Sequence, residues 1–420
     1  MSFNSTRVLP MKTRFNALLV AVCMMASGQY MPALADPIEP SDFEMLETQL
    51  IHHPSLTALI YQADASRERG IAATALPDPV VSVGVNNFPI FDPSFSEFLP
   101  TNKAVGVRQE FPNRAGRNAR AGQNQATADQ IDRIRAAQLA TLRGTLISLL
   151  HEKRRIDRQR DLAQQRNAKY DELTEVVEAE IDAGRPAVFR LAEIEAEKTG
   201  VSRVLVDLDR QEAEINARLI DLVGTASTTA APPIAPADWN GDAMAFHSVR
   251  VADAGIRIAN FSVDSAQAAW RPNWGAQLTY QQREAGSNFA GDDWVSGMVT
   301  FTVPLWAKSN QEPRLRAAKA ERASADMRYQ AAARGAAATY ASEAAAWRAA
   351  EDSIAVLERN IQAVEDEIQA QLTLYESGAG DYAPIIDGEL AILKLQADIA
   401  VEEARRSASI ARMNALLVTS

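Results

Sequence analysis

The sequence predicts a mainly α-helical protein with a small β part, in which one helix-strand-strand-helix-helix unit occurs twice. Three observations predict this fold class: an internal repeat of about two hundred residues, long helical stretches with a heptad-like apolar stripe, and four short runs of alternating apolar and polar residues. The composition agrees, since only 6% of the residues are aromatic and long stretches are rich in Ala, Glu, Gln and Arg. These features together favour long helices over compact sheets.

The repeat divides the chain into two copies. Residues 117–129 align with residues 314–326, and the turn at Ala183-Gly184 aligns with Ser377-Gly378. A segment rich in Thr, Ala and Pro separates the copies and reads as a linker. The predicted divisions are a first repeat at 36–224, a linker or equatorial segment at 225–244, and a second repeat at 245–420.

Each repeat contains two long helices, expected at about 113–182 and 187–223 in the first copy and at about 312–376 and 382–417 in the second. Apolar residues recur at spacings of three and four, as in Ile354, Leu357, Ile361, Val364 and Ile368. Such a stripe buries one side of a helix in coiled-coil fashion. The helix at 113–182 would be roughly 100 Å long at 1.5 Å per residue, which suits a rod or the wall of a tube.

Four strands are expected at about 80–88, 104–111, 274–282 and 294–303. Each run alternates apolar and polar residues and has about the length of a membrane-spanning strand. Tryptophans bracket the second hairpin, at Trp270, Trp274, Trp294 and Trp306. Indole rings prefer the membrane interface, so these tryptophans suit an aromatic girdle; the alternative is that they form the core of a soluble sheet.

The first 35 residues have the pattern of a cleaved signal peptide, which predicts export. Lys12 and Arg14 precede a short apolar run, and Ala33-Leu34-Ala35 is an A-x-A cleavage site; translation could start at Met1 or at Met11. The single cysteine, Cys23, falls in the discarded peptide, so neither lipidation nor a disulfide is expected. No later segment has the apolar length of a membrane helix, so the exported chain is either soluble or inserted through its strands.

Two hairpins give four strands, whereas the smallest transmembrane barrels need about eight. Open strand edges are not tolerated in lipid, so several chains would have to share one barrel. A trimer gives about twelve strands. The competing interpretation is a soluble periplasmic coiled-coil protein, which would not need alternating strands flanked by tryptophan. The formal net charge of −11 gives no reason to expect nucleic-acid binding.

Several short motifs follow one another in a characteristic order: His53-Pro54-Ser55-Leu56, residues 301–306 (FTVPLW) and Tyr375-Glu376-Ser377-Gly378. With the duplication, they resemble the TolC-type outer-membrane factors of tripartite efflux pumps over residues 41–418. Residues 75–79 (ALPDP) and 108–112 (RQEFP) are most similar to the CzcC-like branch, which serves heavy-metal RND pumps. His53 departs from the family pattern, in which Asn usually precedes that Pro.

The resemblance implies a homotrimer with a 12-stranded β-barrel in outer-membrane lipid, continued by a long α-helical barrel in the periplasm. It also implies a periplasmic adaptor protein and an inner-membrane RND pump as partners, with the channel passively conducting heavy-metal cations. Channels for drug efflux or type I protein secretion share much of the pattern and remain alternatives. An adaptor is disfavoured, because adaptors carry one helical hairpin between β-rich domains. This chain has two helical hairpins and almost no β-rich remainder.

The turns between the long helices are the candidate tips for adaptor docking, through Gly184, Arg185, Gly378 and Gly380. The resemblance also places Asp387 at one position of an acidic periplasmic gate, with Asp381 as a second candidate, whereas Pro384 replaces the other ring aspartate. A ring of carboxylates selects cations by its field. The alternative is that these residues are ordinary tight turns and solvated helix ends.

Arginines also begin the long helices directly after the strands, as at Arg114 and Arg314. They form either a solvated helix surface or a contact with anionic lipid head groups. The four histidines are scattered, and the sequence has no nucleophile–base pattern, phosphate-binding Gly loop or zinc spacing. No enzymatic activity, cofactor or tight metal site is therefore expected.

Overall fold

The computed structural model describes residues 42–185 and 188–418. The predicted signal peptide and Cys23 lie outside these residues. The elements in chain order are α1 (Asp42–Ile51), α2 (Pro54–Thr74), β1 (Val80–Asn86), β2 (Asn102–Phe111), α3 (Arg114–Asp182), α4 (Val188–Val223), a short 3-10 turn (Ala243–Ala245), α5 (His247–Ala268), β3 (Trp274–Gln282), β4 (Asp293–Phe301), α6 (Gln311–Glu376) and α7 (Ala383–Leu416). None of the helices in the described ranges combines the length and the apolar character that a membrane span requires.

Local chemistry sets where several elements begin and end. Helix α2 starts at Pro54, in the first turn where proline is tolerated, and the His53 ring accepts a hydrogen bond from the Ser55 amide. The Asn113 side chain accepts from the Gly116 amide at 2.7 Å, so Asn113 caps α3 rather than starting it. Strand β1 ends at Asn86, two residues before the expected end, because Asn87 has a φ of 54° and turns the chain.

The four strands form one antiparallel sheet in the order β1-β2-β3-β4. The hairpin of the first repeat thus lies beside the hairpin of the second, joined by the pairing of β2 with β3. Strand β2 leads into α3 and strand β3 follows α5. Both connections lie at the same end of the sheet, since Phe111 pairs with Trp274. The sheet therefore has a helix end, formed by 75–79, 112–113, 269–273 and 302–310, and a loop end, formed by 87–101 and 283–292.

The apolar stripes become the helical cores. Helix α3 packs on α2 and α5 near the sheet, and on α4 and α7 farther away. One core contains Leu146, Leu150 and Ile156 of α3 with Leu208 and Leu219 of α4, all buried. A second core nearer the helix turns is formed by buried residues of α3, α4 and α7, among them Leu173, Val177, Ile194, Val201 and Ile386.

The linker, residues 225–242, is extended and is fastened to the helices rather than free. The His151 ring donates a hydrogen bond through Nε2 to the Pro232 carbonyl at 3.0 Å. The Ala237 amide donates to the side chain of Asn414 in α7 at 2.8 Å. The linker thus connects the repeats while crossing α3 and α7. Helix α1, which precedes the predicted elements, packs beneath it with Leu46 and Leu50 in the first core.

Candidate functional site

The register gives the sheet one apolar and one mostly polar face. Val83 lies opposite Val105, Val105 opposite Tyr280, and Tyr280 opposite Val295, so one row of side chains crosses all four strands. Side chains alternate between the faces of a strand, so the neighbouring rows follow from this one. The same face carries the apolar residues Val81, Val85, Val107, Phe111, Trp274, Ala276, Leu278, Val299 and Phe301, and near the strand ends it also carries Lys103, Gln109, Gln282 and Asp293. The opposite face carries Ser82, Asn86, Gln277, Thr279, Gln281, Ser296, Met298 and Thr300.

Strands β1 and β4 are the edges of the sheet, and each is paired on one side within the described chain. Every residue of both strands is exposed. Val83 in β1 is 80% exposed and Val295 in β4 is 67% exposed. A long apolar edge strand exposed to water is an aggregation hazard that native proteins cover or pair. Within the described residues, both the apolar face and the two edges of the sheet are therefore uncovered.

Three of the four predicted interface tryptophans lie at the helix end of the sheet. Trp274 opens β3, and its ring lies 5.8 Å from the ring of Phe301, centroid to centroid. Trp270 precedes β3, and Trp306 follows β4 with 74% of its surface exposed. Phe111, Trp274 and Phe301 are cross-strand neighbours at the helix end of the sheet, and Trp270 and Trp306 lie in the segments just outside it; these five residues are the aromatic group.

Trp294 lies apart from this group. It pairs with Gln281 near the loop end and points to the polar face, and its ring is 4.4 Å from the guanidinium of Arg283. Arg283 is 8% exposed and also donates to the Ala290 carbonyl at 2.9 Å. The contact fixes the loop between β3 and β4, and Trp294 is not part of one aromatic surface with Trp274.

The two helix–helix turns contain glycines in the left-handed conformation, with φ of 80° at Gly184 and 74° at Gly378. This conformation ends a helix and favours glycine, because a Cβ would approach the carbonyl. The two turns lie together, since Arg185 and Asp381 form an ion pair of 2.5 Å. At Gly380 a Cβ would lie 3.0 Å from the Cβ of Leu374, so the second turn is also tightly packed.

Asp387 is paired within its own protomer. The Arg190 guanidinium of α4 lies 2.8 Å from the Asp387 carboxylate of α7. Pro384, which replaces the family's second ring aspartate, lies in the first turn of α7, where proline suits a helix start. The charge of Asp387 is thus compensated in part, which weakens the field that a ring of bare carboxylates would exert.

A further contact joins α3 to α7 behind the turns. The Lys169 ammonium lies 2.6 Å from Glu389 and 2.9 Å from Glu172, and these hydrogen bonds raise the pKa of Lys169 above its ordinary value. The Tyr382 hydroxyl donates to Glu172 at 3.3 Å, and burial followed by the charge of Glu172 raises the pKa of Tyr382. Lys169 therefore stays charged at neutral pH and holds the two repeats together.

Four charged residues behind the turns were not predicted from the sequence: Arg190, Lys169, Glu172 and Glu389. Their contacts between helices join distant parts of the chain, since Arg190 and Asp387 are 197 positions apart. The alignment of the two turns does not reveal these pairs, because Arg190 lies six residues after Gly184 whereas Asp387 lies nine residues after Gly378. In residues 42–185 and 188–418, the structure contains no group of three His, Cys, Asp or Glu side chains that could hold a metal ion.

The fold is that of the TolC-like outer-membrane channels. The chain superimposes on the outer membrane protein VceC from Vibrio cholerae with a TM-score of 0.71 at 15% identity, covering 89% of this chain and 95% of that one. It matches CusC with a TM-score of 0.75 at 14% identity, covering 94% and 100%. The Neisseria gonorrhoeae MtrE outer membrane channel gives a TM-score of 0.70 at 15% identity, covering 89% and 88%.

Residues 246–417, nearly the whole second repeat, match the family model described as outer membrane efflux protein. By this match the second repeat is similar to the outer membrane efflux proteins, and the fold of the whole chain agrees with that similarity. A comparison with functionally characterised protein sequences gives no match.

Proposed function

We propose that three copies of this chain form a passive outer-membrane channel that conducts heavy-metal cations from an inner-membrane RND pump and a periplasmic adaptor to the exterior. The observation that carries the proposal is the sheet with one apolar face, one polar face and two unpaired edges. An apolar face suits lipid and a polar face suits a water-filled lumen.

The strand edges support a closed ring of protomers. Strand β1 of one protomer would pair with β4 of the next, a head-to-tail contact that leaves no edge when the ring closes. Three copies of the four-stranded sheet give the twelve strands of the expected barrel. Trp270, Trp274 and Trp306 would then encircle the barrel at the level where it meets the helices.

The helices offer a second pair of edges. Near the turns the packing order is α4, α3, α7 and α6, and α4 and α6 have no extensive contact with each other in the described part of the chain. Apolar side chains remain exposed on both, as at Val204 and Val206 of α4 and Val356 of α6. Contact between α4 of one protomer and α6 of the next would bury such side chains and close the helical barrel.

The helix turns would form the periplasmic tips. Gly184, Arg185, Gly378 and Gly380 are proposed to dock the adaptor. The exposure of Gly184, Arg185 and Gly378 and the ion pair that joins the two turns support this role. Asp387 and Asp381 are proposed to line the gate, each held by an arginine of the same protomer. Opening the gate would then require these ion pairs to part or to move together.

The heavy-metal cargo rests on the resemblance of residues 75–79 and 108–112 to the CzcC-like branch. Drug efflux and type I secretion use the same architecture and are the competing cargoes. Tolerance of a deletion strain to cobalt, zinc, cadmium, copper and silver separates them. Lower metal tolerance that is restored by the wild-type gene supports metal export. Unchanged metal tolerance with raised drug sensitivity would reject the heavy-metal cargo and favour drugs.

The channel itself is tested by the mass and shape of the protein extracted from outer membranes in detergent. A trimeric hollow particle that conducts ions in a planar bilayer is the expected result. The helical tube should be about 100 Å long, as 69 residues of α3 predict. A soluble monomer or dimeric rod would reject the proposal and favour the structural coiled-coil alternative.

A further inference from the structure

The helix end of the sheet is basic although the chain is acidic. We define the basic collar as residues 65–79, 112–123, 259–273 and 302–320, which flank the sheet at this end. These segments contain ten Lys and Arg residues and four Asp and Glu residues, a balance of +6 in a chain of net charge −11. The loop end has the opposite sign, with four acidic residues and one arginine in residues 87–101 and 283–292.

Most of the collar cations have no side-chain partner among the described residues. Arg114, Arg120, Arg271, Lys308 and Arg314 are exposed, and none of their side chains has an ion pair or hydrogen bond with any residue in 42–185 or 188–418. The helix turns differ, since Arg185 and Arg190 each have a carboxylate partner within 3 Å. The collar therefore keeps positive charge available for a ligand outside the chain.

Three of these cations follow an aromatic residue of the helix end almost directly. Arg271 follows Trp270, Lys308 comes two residues after Trp306, and Arg114 comes three residues after Phe111. Aromatic rings settle at the level of the lipid carbonyls, and flexible cationic side chains extend from there to the phosphates. The cations thus follow the aromatic residues by one to three positions in the sequence, at the helix end of the sheet.

We propose that the basic collar binds the phosphate groups of anionic phospholipids in the leaflet next to the helices. The inference rests on the proposed function, because it requires the apolar face of the sheet to lie in a membrane. Lys and Arg side chains near an anionic membrane surface each strengthen binding by about fivefold. The cations are spread over four segments of one protomer, so a ring of protomers would present them around the whole barrel.

The test compares lipids that remain bound to the purified protein. Wild-type protein is exchanged into micelles with equal amounts of phosphatidylglycerol and phosphatidylethanolamine, and retained lipids are counted by native mass spectrometry at low and high salt. The collar variant carries Arg114→Gln, Arg271→Gln and Lys308→Gln. The control variant removes three exposed cations of the helical body instead, with Arg154→Gln, Arg348→Gln and Lys394→Gln.

Wild-type and control protein should retain phosphatidylglycerol selectively at low salt and lose the preference at high salt, because exposed charges are screened. The collar variant should lose the preference by about fivefold for each cation removed. Absence of a preference in the wild type, or an equal preference in the collar variant, would overturn the inference. The mass of the detergent-extracted protein tests the proposed function separately. A soluble monomer would reject the proposed function whatever lipids are counted.

Discussion

The two faces of the sheet can be distinguished by placing one charge on either of two adjacent residues. Leu278 is the central residue of β3, lies on the apolar face and is 59% exposed in the protomer. Gln277, its neighbour, lies on the polar face opposite Arg108 and Met298. If the proposed orientation is right, Leu278→Lys puts an ammonium group into the middle of the bilayer and Gln277→Lys puts it into the lumen.

A lysine that faces lipid at the midplane of a β-barrel costs about 2–4 kcal/mol. A lysine at position 277 would lie opposite Arg108 and should cost only about 0.2–1 kcal/mol through like-charge repulsion. At 1.4 kcal/mol per tenfold change, Leu278→Lys should lower the folding equilibrium constant by roughly 30- to 700-fold per protomer. Gln277→Lys adds the same charge one residue away, so it controls for charge and for side-chain size.

Urea unfolding of the protein in lipid vesicles measures the difference. We expect the unfolding midpoint of Leu278→Lys to fall well below that of the wild type, and that of Gln277→Lys to stay close to it. Equal stability of both variants would refute the placement of this face in lipid. A larger loss in Gln277→Lys would mean that the two faces are reversed.

Three further predictions concern the helices. Arg190→Ala should raise the conductance of the channel in planar bilayers by freeing Asp387, and exchanging the two charges between these positions should restore the wild-type conductance; failure of the exchange would contradict a role of the pair in the gate. Gly378→Ala should destabilise the fold by about 1–2 kcal/mol, because the residue has φ of 74°, whereas Gly200→Ala within α4 should stabilise it by about 0.5–1 kcal/mol, as thermal unfolding of both variants would reveal. Burial lowers the pKa of His151 below the ordinary value of 6.5, so the unfolded chain takes up the proton first; stability should fall as the pH drops below 6.5, and the His151→Gln variant should lose that part of the pH dependence.

The fold class could be predicted from the sequence because its signals are local. In β4 the alternation that places Val295 and Val299 on one face is visible within a few residues. The apolar stripe of α6 likewise repeats every three or four residues. The same alternation separates Trp294 from the apolar face, since Trp294 has the parity of Ser296. Grouping the tryptophans by their position along the chain overlooked this parity.

The contacts between the turns could not be predicted in the same way. The ion pair between Arg185 and Asp381 depends on how α3 and α7 pack, and 196 residues separate its members. Helix α1 was not predicted because it is only ten residues long. Its apolar residues, such as Leu46 and Leu50, are buried by contacts with α3 and α4 that are not visible in the local sequence. The roles of the tips, of Asp387 in the gate and of the tryptophans at the interface stay predictions.

The open edges of the sheet have a consequence for the order of folding. The helical cores lie within one chain, so α3, α4 and α7 can pack at a rate that does not depend on protein concentration. Under the proposed assembly, the strands complete their hydrogen bonding when protomers meet, and such a step is concentration-dependent. Diluting the protein in the membrane would therefore delay closure of the barrel while leaving the formation of the helical body unchanged.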